Sequence, residues 1–241
     1  MLLKGAKKMS KKHLYLIVDT ETACDIPHQI PYDIGYILID RKGTVYEKGN
    51  YLVRETVADL TTMATAFYAK KFIGYLDMLE KGEITLRPLA TILAEIIEII
   101  DKYSDTAEIF FAGYNAPFDI RALENASEWL YENRKWLNRD IKVFDIWTVA
   151  CDNLYGKDFI KKARANGWTT EKGNIKTSAE IGYRYIADKA DFEEEHRGLS
   201  DCEIEAEILK AVFATHKKID GTPRAFPMRA VWKLEKEMIG E

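Results

Sequence analysis

Cysteine is scarce: Cys24, Cys151 and Cys202 are the only three, widely scattered and without a C-x-x-C pair, so neither a disulfide framework nor a cysteine zinc site is indicated. Reduced thiols in a cytoplasmic protein are the simplest account. No apolar run approaches the ~18 residues of a membrane span, and the N-terminus lacks an apolar signal core, so no membrane partner is expected. A basic excess is missing as well. With 35 Lys and Arg against 39 Asp and Glu, the net charge of −4 excludes a surface that coats nucleic acid indiscriminately and leaves room only for a local basic groove. Internal repeats and low-complexity tracts are absent. What remains is 241 residues of ordinary globular composition, 47% hydrophobic and 31% charged, enough to bury the core of one large domain.

His13 to Val18 is an apolar run that reads as a central strand covered on both faces, and it ends in Asp19-Thr20-Glu21-Thr22. Side chains alternate along a strand, so Asp19 and Glu21 point to the same side. Two carboxylates held there repel each other unless a cation lies between them or one takes up a proton. Oxygen donors of this kind suit magnesium or manganese. Solvated turn acids are the plain alternative. A phosphatase of the haloacid dehalogenase type is another, because its strand-end motif resembles Asp-x-Asp-x-Thr, although here the second acid is Glu21. The choice turns on whether more acids and a base follow on elements that can reach this strand end.

Residues 1–12 carry Lys4, Lys7, Lys8, Lys11 and Lys12 and read as a flexible basic tail. Strands are expected over 32–40 and 44–53, joined through Asp40-Arg41-Lys42-Gly43 into an antiparallel meander with the first. Residues 54–87 form an insertion with helical stretches over 61–79; its Phe67, Tyr68, Phe72 and Tyr75 favour packing over base stacking. Pro88 opens a helix in which Leu89, Ile92, Leu93, Ile96, Ile100 and Tyr103 recur at helical spacing. A fourth strand over 108–112 leads to Pro117 in the first turn of another helix, which puts Asp119 near the strand's carboxyl end. The fifth strand covers 141–144, and Asp145 begins the next helix. In the basic segment 161–176, Trp168-Thr169-Thr170 and Asn174-Ile175-Lys176 flank Glu171-Lys172-Gly173 and read as a small basic hairpin, either a phosphate-contacting surface or simply an exposed polar one. Ser200 with Glu203 fits a capping box, which places Asp201 in or next to a first turn and His196 on the loop before it. An extension over 217–241 should carry a short helix packed on the outside.

In an open α/β sheet, ligands gather at the carboxyl ends of the strands, where Asp19, Glu21, Asp119 and Asp201 could converge. Four carboxylates in one pocket make sense around two divalent ions about 3.5–4 Å apart, an arrangement suited to phosphoryl displacement. His196 above them could take a proton from water near neutral pH.

The stretches Val18-Asp19-Thr20-Glu21-Thr22, Asn115-x-x-Phe118-Asp119 and His196-x-x-x-x-Asp201 resemble, in order and spacing, the three motifs of the DEDD exonuclease superfamily. The histidine five residues before the last acid is similar to the histidine subtype; the sister subtype has a tyrosine four before. The resemblance spans about residues 13–214, within an exonuclease domain expected over 13–216. It implies an RNase H-like α/β fold, with a five-stranded mixed sheet and flanking helices. It also implies stepwise 3′-to-5′ hydrolysis of single-stranded DNA or RNA ends, DNA ahead of RNA, to nucleoside 5′-monophosphates. Two Mg or Mn ions would be held by Asp19, Glu21, Asp119 and Asp201, with His196 as general base. Glu21 and the backbone near Thr20 and Thr22 would meet the terminal 3′-hydroxyl, Asn115 would shape the pocket, and Asp145 would be structural. The insertion and the basic hairpin look more like phage-type or stand-alone members than the compact proofreading subunit, and a polymerase or replication partner is conceivable for such a fold. A non-catalytic nucleic-acid or polymerase-binding module of the same fold is the competing reading.

Overall fold

The computed structural model describes residues 11–66, 72–137 and 140–240. Its first strand, β1 (Lys12–Ala23), pairs antiparallel with β2 (Ile30–Asp40), which pairs antiparallel with β3 (Val45–Val53). Lys12, read as tail, therefore already belongs to the sheet, and its ammonium lies 2.9 Å from the Asp40 carboxylate. The insertion follows as α1 (Arg54–Ala58), α2 (Leu60–Met63) and α3 (Phe72–Lys81), the last ended by Gly82 at φ +71. Then come β4 (Thr85–Arg87), α4 (Leu89–Ser104), β5 (Ala107–Gly113), α5 (Ala116–Tyr131), β6 (Lys142–Asp145) and α6 (Ile146–Asn153). The chain closes with α7 (Lys157–Ala165), α8 (Ala179–Ala187), α9 (Gly198–Ala214) and α10 (Met228–Ile239).

The mixed sheet runs β4-β3-β2-β1-β5-β6, six strands rather than the five expected. The additional strand is β4, whose three residues pair parallel with β3; such a run is too short to show a two-residue period. β1 occupies the centre, and its two faces feed two cores. Tyr15 and Ile17 pack with Val149 and Ala150 of α6 and Ile204 and Ile208 of α9. Leu14, Leu16 and Val18 pack with Ile92 and Ile96 of α4 and Leu123 of α5. This double burial explains the uninterrupted apolar run in the sequence. A smaller core joins Tyr75 of α3 to Ala23, Tyr32 and Leu52, so that aromatic serves packing; Phe67 and Tyr68 lie outside the described residues.

Two local expectations are adjusted. The small hairpin read over 168–176 is present but short, with Thr169 bridging Ile175 antiparallel, the Thr170 N–H donating to the Asn174 carbonyl at 2.8 Å and the Lys176 N–H to the Trp168 carbonyl at 3.0 Å, whereas Lys161 and Lys162 lie before it on α7, which buries Phe159, Ile160 and Ala163. Trp168 and Ile175, at 4% and 1% exposure, draw that segment into the core, and Lys162 is paired with Asp188. Ser200 does not cap a helix. α9 starts at Gly198, where the backbone N–H donates to Asp33 Oδ2 at 3.2 Å, and the Ser200 hydroxyl turns instead to Glu195. Among the described residues, no helix is long and apolar enough to cross a membrane.

Candidate active site

Pairing between β1 and β5 stops at Ile17↔Ala112, whereas β1 continues alongside β2 through a bulge at Glu21/Thr22. The strands separate there, and the crevice opens at their carboxyl ends. Asp19 and Glu21 face into it from β1. Asn115, in the left-handed conformation at φ 76, ends the β5 turn and starts α5. One turn on, Asp119 is 3% exposed, and its Oδ1 accepts from the Thr20 N–H at 3.0 Å and the Thr20 hydroxyl at 2.8 Å. Those bonds stitch α5 to the end of β1. From the opposite side α9 brings Asp201, 5% exposed, and the preceding loop brings His196 at φ 52. Left-handed backbone at two non-glycine residues of one site is strain of the kind that functional geometry sustains.

Glu21, His196 and Asp201 each offer a donor atom, and the three atoms lie within 4.8 Å of one another. They line a chamber of about 480 Å³ together with Asp19, Asn115, Glu194 and Glu205. Its other wall is aromatic, made by Tyr114, Trp147 and Trp232. The indole N–H groups of that wall are committed, Trp147 to the Thr177 hydroxyl at 2.9 Å and Trp232 to the Ile175 carbonyl at 3.0 Å, and Trp147 stacks on Tyr114 with ring centroids 6.2 Å apart. Thr20 is 6% exposed with its hydroxyl bound to Asp119, and neither it nor Thr22 lines the chamber. Asp145 accepts from the Thr148 N–H at 2.6 Å as the N-cap of α6.

Burial raises the carboxyls of this cluster, and their mutual repulsion adds to it. Asp119 is pushed up to about 7, mainly by burial against the Thr20 bonds that hold it down. Asp201 is pushed up to about 9 by burial and then by Glu194, Glu21 and Asp33. Asp19 is raised by burial and by Asp119, Glu205, Asp201 and Glu21. The buried Asp201 Oδ1 and Glu205 Oε2 have no hydrogen-bond partner. Buried acceptors without donors are costly, and hard divalent cations are the species that would satisfy them. The donor set therefore fits such ions.

These shifts set the sign of a stability profile. The unfolded chain ionises its Asp side chains near pH ~4, while the folded chain keeps Asp119 and Asp201 protonated until about 7 and about 9. The stability they contribute is complete below pH ~4 and is lost as the pH climbs through those folded values. In chelator, the melting temperature should fall by about 5 °C or more between pH 5 and pH 9, and saturating Mg should flatten that slope. A flat profile in chelator would refute the repulsive cluster.

Four features escaped the motif reading: Glu205, Glu194, Asp33 and the aromatic wall. Glu205 lies four residues after Asp201 on one helical face, a spacing visible in the sequence. Glu194 sits in the acidic run before His196, its Oε2 3.7 Å from the imidazole Nδ1. Asp33 is fully buried; its Oδ2 accepts from the Tyr75 hydroxyl at 2.6 Å as well as from Gly198, tying the insertion to the start of α9. Trp232 comes from α10, which lines the site rather than merely packing outside, and nothing local in the extension signals that.

No protein-family model matches the chain, and none of the curated proteins matches it. Solved structures do. A zinc-ion form of the Escherichia coli exonuclease I complex with single-stranded DNA superposes with a TM-score of 0.52 at 15% identity, covering 83% of this chain and 40% of that one. The same bacterium's exonuclease I with a dT13 oligonucleotide gives 0.53 at 17% identity, covering 86% and 41%. A full-length 3′-exonuclease gives 0.54 at 11% identity, covering 89% of this chain and 94% of that one. This chain thus spans about two fifths of the exonuclease I chains and nearly the whole of the smaller enzyme. At these identities the likeness establishes a shared fold: the α/β architecture is the RNase H-like one of these exonucleases.

Proposed function

We propose that the chain is a metal-dependent 3′-to-5′ exonuclease of the histidine-type DEDD superfamily, acting on single-stranded ends, DNA ahead of RNA, and releasing nucleoside 5′-monophosphates. The observation that carries this reading is the meeting of Glu21, His196 and Asp201, drawn from the first and last of three separated motifs, with donor atoms within 4.8 Å of one another. Support also comes from the shared fold with exonucleases, among them exonuclease I in two structures, one with single-stranded DNA and one with a dT13 oligonucleotide.

Asp19, Glu21, Asp119 and Asp201 would hold two Mg or Mn ions. Bound there, such ions would supply charge neutralisation for the phosphodiester, acidification of the attacking water and stabilisation of the leaving oxygen. His196 accepts the proton of that water, and Glu194 beside its Nδ1 stabilises the imidazolium as it forms. Asp119, bonded to both the N–H and the hydroxyl of Thr20, fixes the end of β1 so that Asp19 and Glu21 keep their aim. Asn115 shapes the entrance, and Glu21 meets the terminal 3′-hydroxyl, while Thr20, outside the chamber, serves to hold Asp119. Aromatic residues lining the chamber, Trp147 and Trp232, suit stacking with a base, which reads no sequence because every base has a π-face.

The test is a time course with matched single-stranded DNA and RNA labelled at the 5′ end, in Mg, Mn or chelator, comparing wild type with His196→Ala. A metal-dependent ladder that shortens from the 3′ end and is lost in the variant is expected. No shortening of either strand under any metal would reject the reading in favour of a binding module.

A different lysine is proposed for the phosphate contact. Lys176, exposed and lining the chamber, is better placed than Lys161 or Lys172, while Lys162 is engaged with Asp188. Lys176→Ala should weaken polynucleotide binding and lower the slope of log Kd against log salt by about one. An unchanged slope would remove Lys176 from the interface.

A further inference from the structure

Glu205 belongs to none of the three motifs, yet the fold buries it inside the same cluster. α9 presents Asp201 and, one turn later, Glu205 on one face, at 5% and 2% exposure, and both line the chamber with Asp19 and Glu21. The Tyr114 backbone N–H donates to the Glu205 carboxylate, which fixes its position, while Oε2 is left without a partner. A carboxylate kept only for stability would be expected beside a cationic side chain. The charged groups acting on Glu205 are instead other acids: Asp119, Asp201 and Glu194. Burying an acid among acids, with one oxygen unsatisfied, is tolerable where a cation completes the set. Oxygen donors in that density select hard divalent ions.

We propose that Glu205 is a fifth cation-holding carboxylate of this centre, reached from α9 beside Asp201 and lining the same chamber. The proposal rests on the nuclease reading and deepens it. A fifth negative charge raises the affinity of the chamber for divalent ions, so the protein should bind them at a lower metal concentration than the four motif acids alone would allow.

The experiment is calorimetric titration with Mn, without nucleic acid, on wild type, Glu205→Gln and Glu205→Asp, each checked for its fold by circular dichroism. Glu205→Gln keeps size and polarity but removes the charge; it should weaken one Mn equilibrium by about tenfold or more and shrink the Mn-induced rise in melting temperature. Glu205→Asp, which keeps the charge on a shorter stem, should bind Mn between the other two and supplies the comparison if the Gln variant fails to fold. Wild-type Mn affinity and stoichiometry in both variants would overturn the assignment while leaving the nuclease intact. Mn binding that depends on Glu205 in a protein that hydrolyses no strand would sink the nuclease reading and keep the ion site.

Discussion

Asp119→Asn should lose turnover by about 1000-fold or more while the protein keeps its fold and, in chelator at alkaline pH, becomes more stable. Asp119 sits at 3% exposure with its carboxyl pushed up to about 7, chiefly by burial, so ionising it in the metal-free protein is unfavourable. The amide of Asn retains an oxygen able to accept from the Thr20 N–H and hydroxyl, now at 3.0 and 2.8 Å, so the stitch between α5 and β1 survives. What disappears is a negative charge needed to hold a divalent ion. Ions of this kind supply several kcal/mol of transition-state stabilisation, and each ~1.4 kcal/mol is a factor of ten. Ala at the same position would mix that effect with a buried Thr20 N–H left without an acceptor, which costs about 1–3 kcal/mol. The clean comparison is single-turnover hydrolysis and thermal melting of Asp119→Asn beside wild type. Wild-type rates would reject Asp119 as part of the metal site.

Much of the fold was legible because local chemistry and tertiary role agree. The apolar run before Asp19 predicts a doubly covered strand, and β1 is central and buried on both faces. The periodic stripe after Pro88 predicts α4, and Pro117 in a first turn places Asp119. The failures share a cause: each depends on a partner distant in sequence. β4 exists only because β3 offers it an edge. The start of α9 is set by Asp33, 165 residues earlier, which accepts from Gly198 and overrides the Ser200 signal. The small hairpin over 168–176 is there, but its lysines are conspicuous in the sequence while the burial of Phe159, Ile160, Trp168 and Ile175, which anchors the whole segment, depends on the distant core they enter. At the site, residue types at fixed spacing were readable, and the additional acid and the aromatic wall were not. Glu205 has meaning only once α9 is laid against β1, and Trp232 only once α10 folds back over α6 and α7.

Gly198→Ala should cost about 3 kcal/mol of stability and about a hundredfold in turnover together, although position 198 touches no reacting atom. A Cβ on Gly198 would lie 2.3 Å from the Gly35 nitrogen, and a Cβ on Gly35 would lie 2.0 Å from the Gly198 carbonyl carbon. Both obstacles are backbone, so no side-chain rotation relieves them. Neither residue has a left-handed φ; glycine is needed here only because α9 and β2 approach with nothing between them. Forcing them apart strains the Gly198 N–H bond to the buried Asp33 and carries His196 and Asp201 away from Glu21, which stays on β1. Gly156→Ala is the control, since its Cβ would meet nothing within 4 Å and its φ is −86. That variant should stay within about 1 kcal/mol of wild type. Urea unfolding and single-turnover rates on the two variants decide it. Equal stability and equal activity would mean that α9 does not abut β2 at this point, and the meeting of His196 and Asp201 with Glu21 would lose its structural basis.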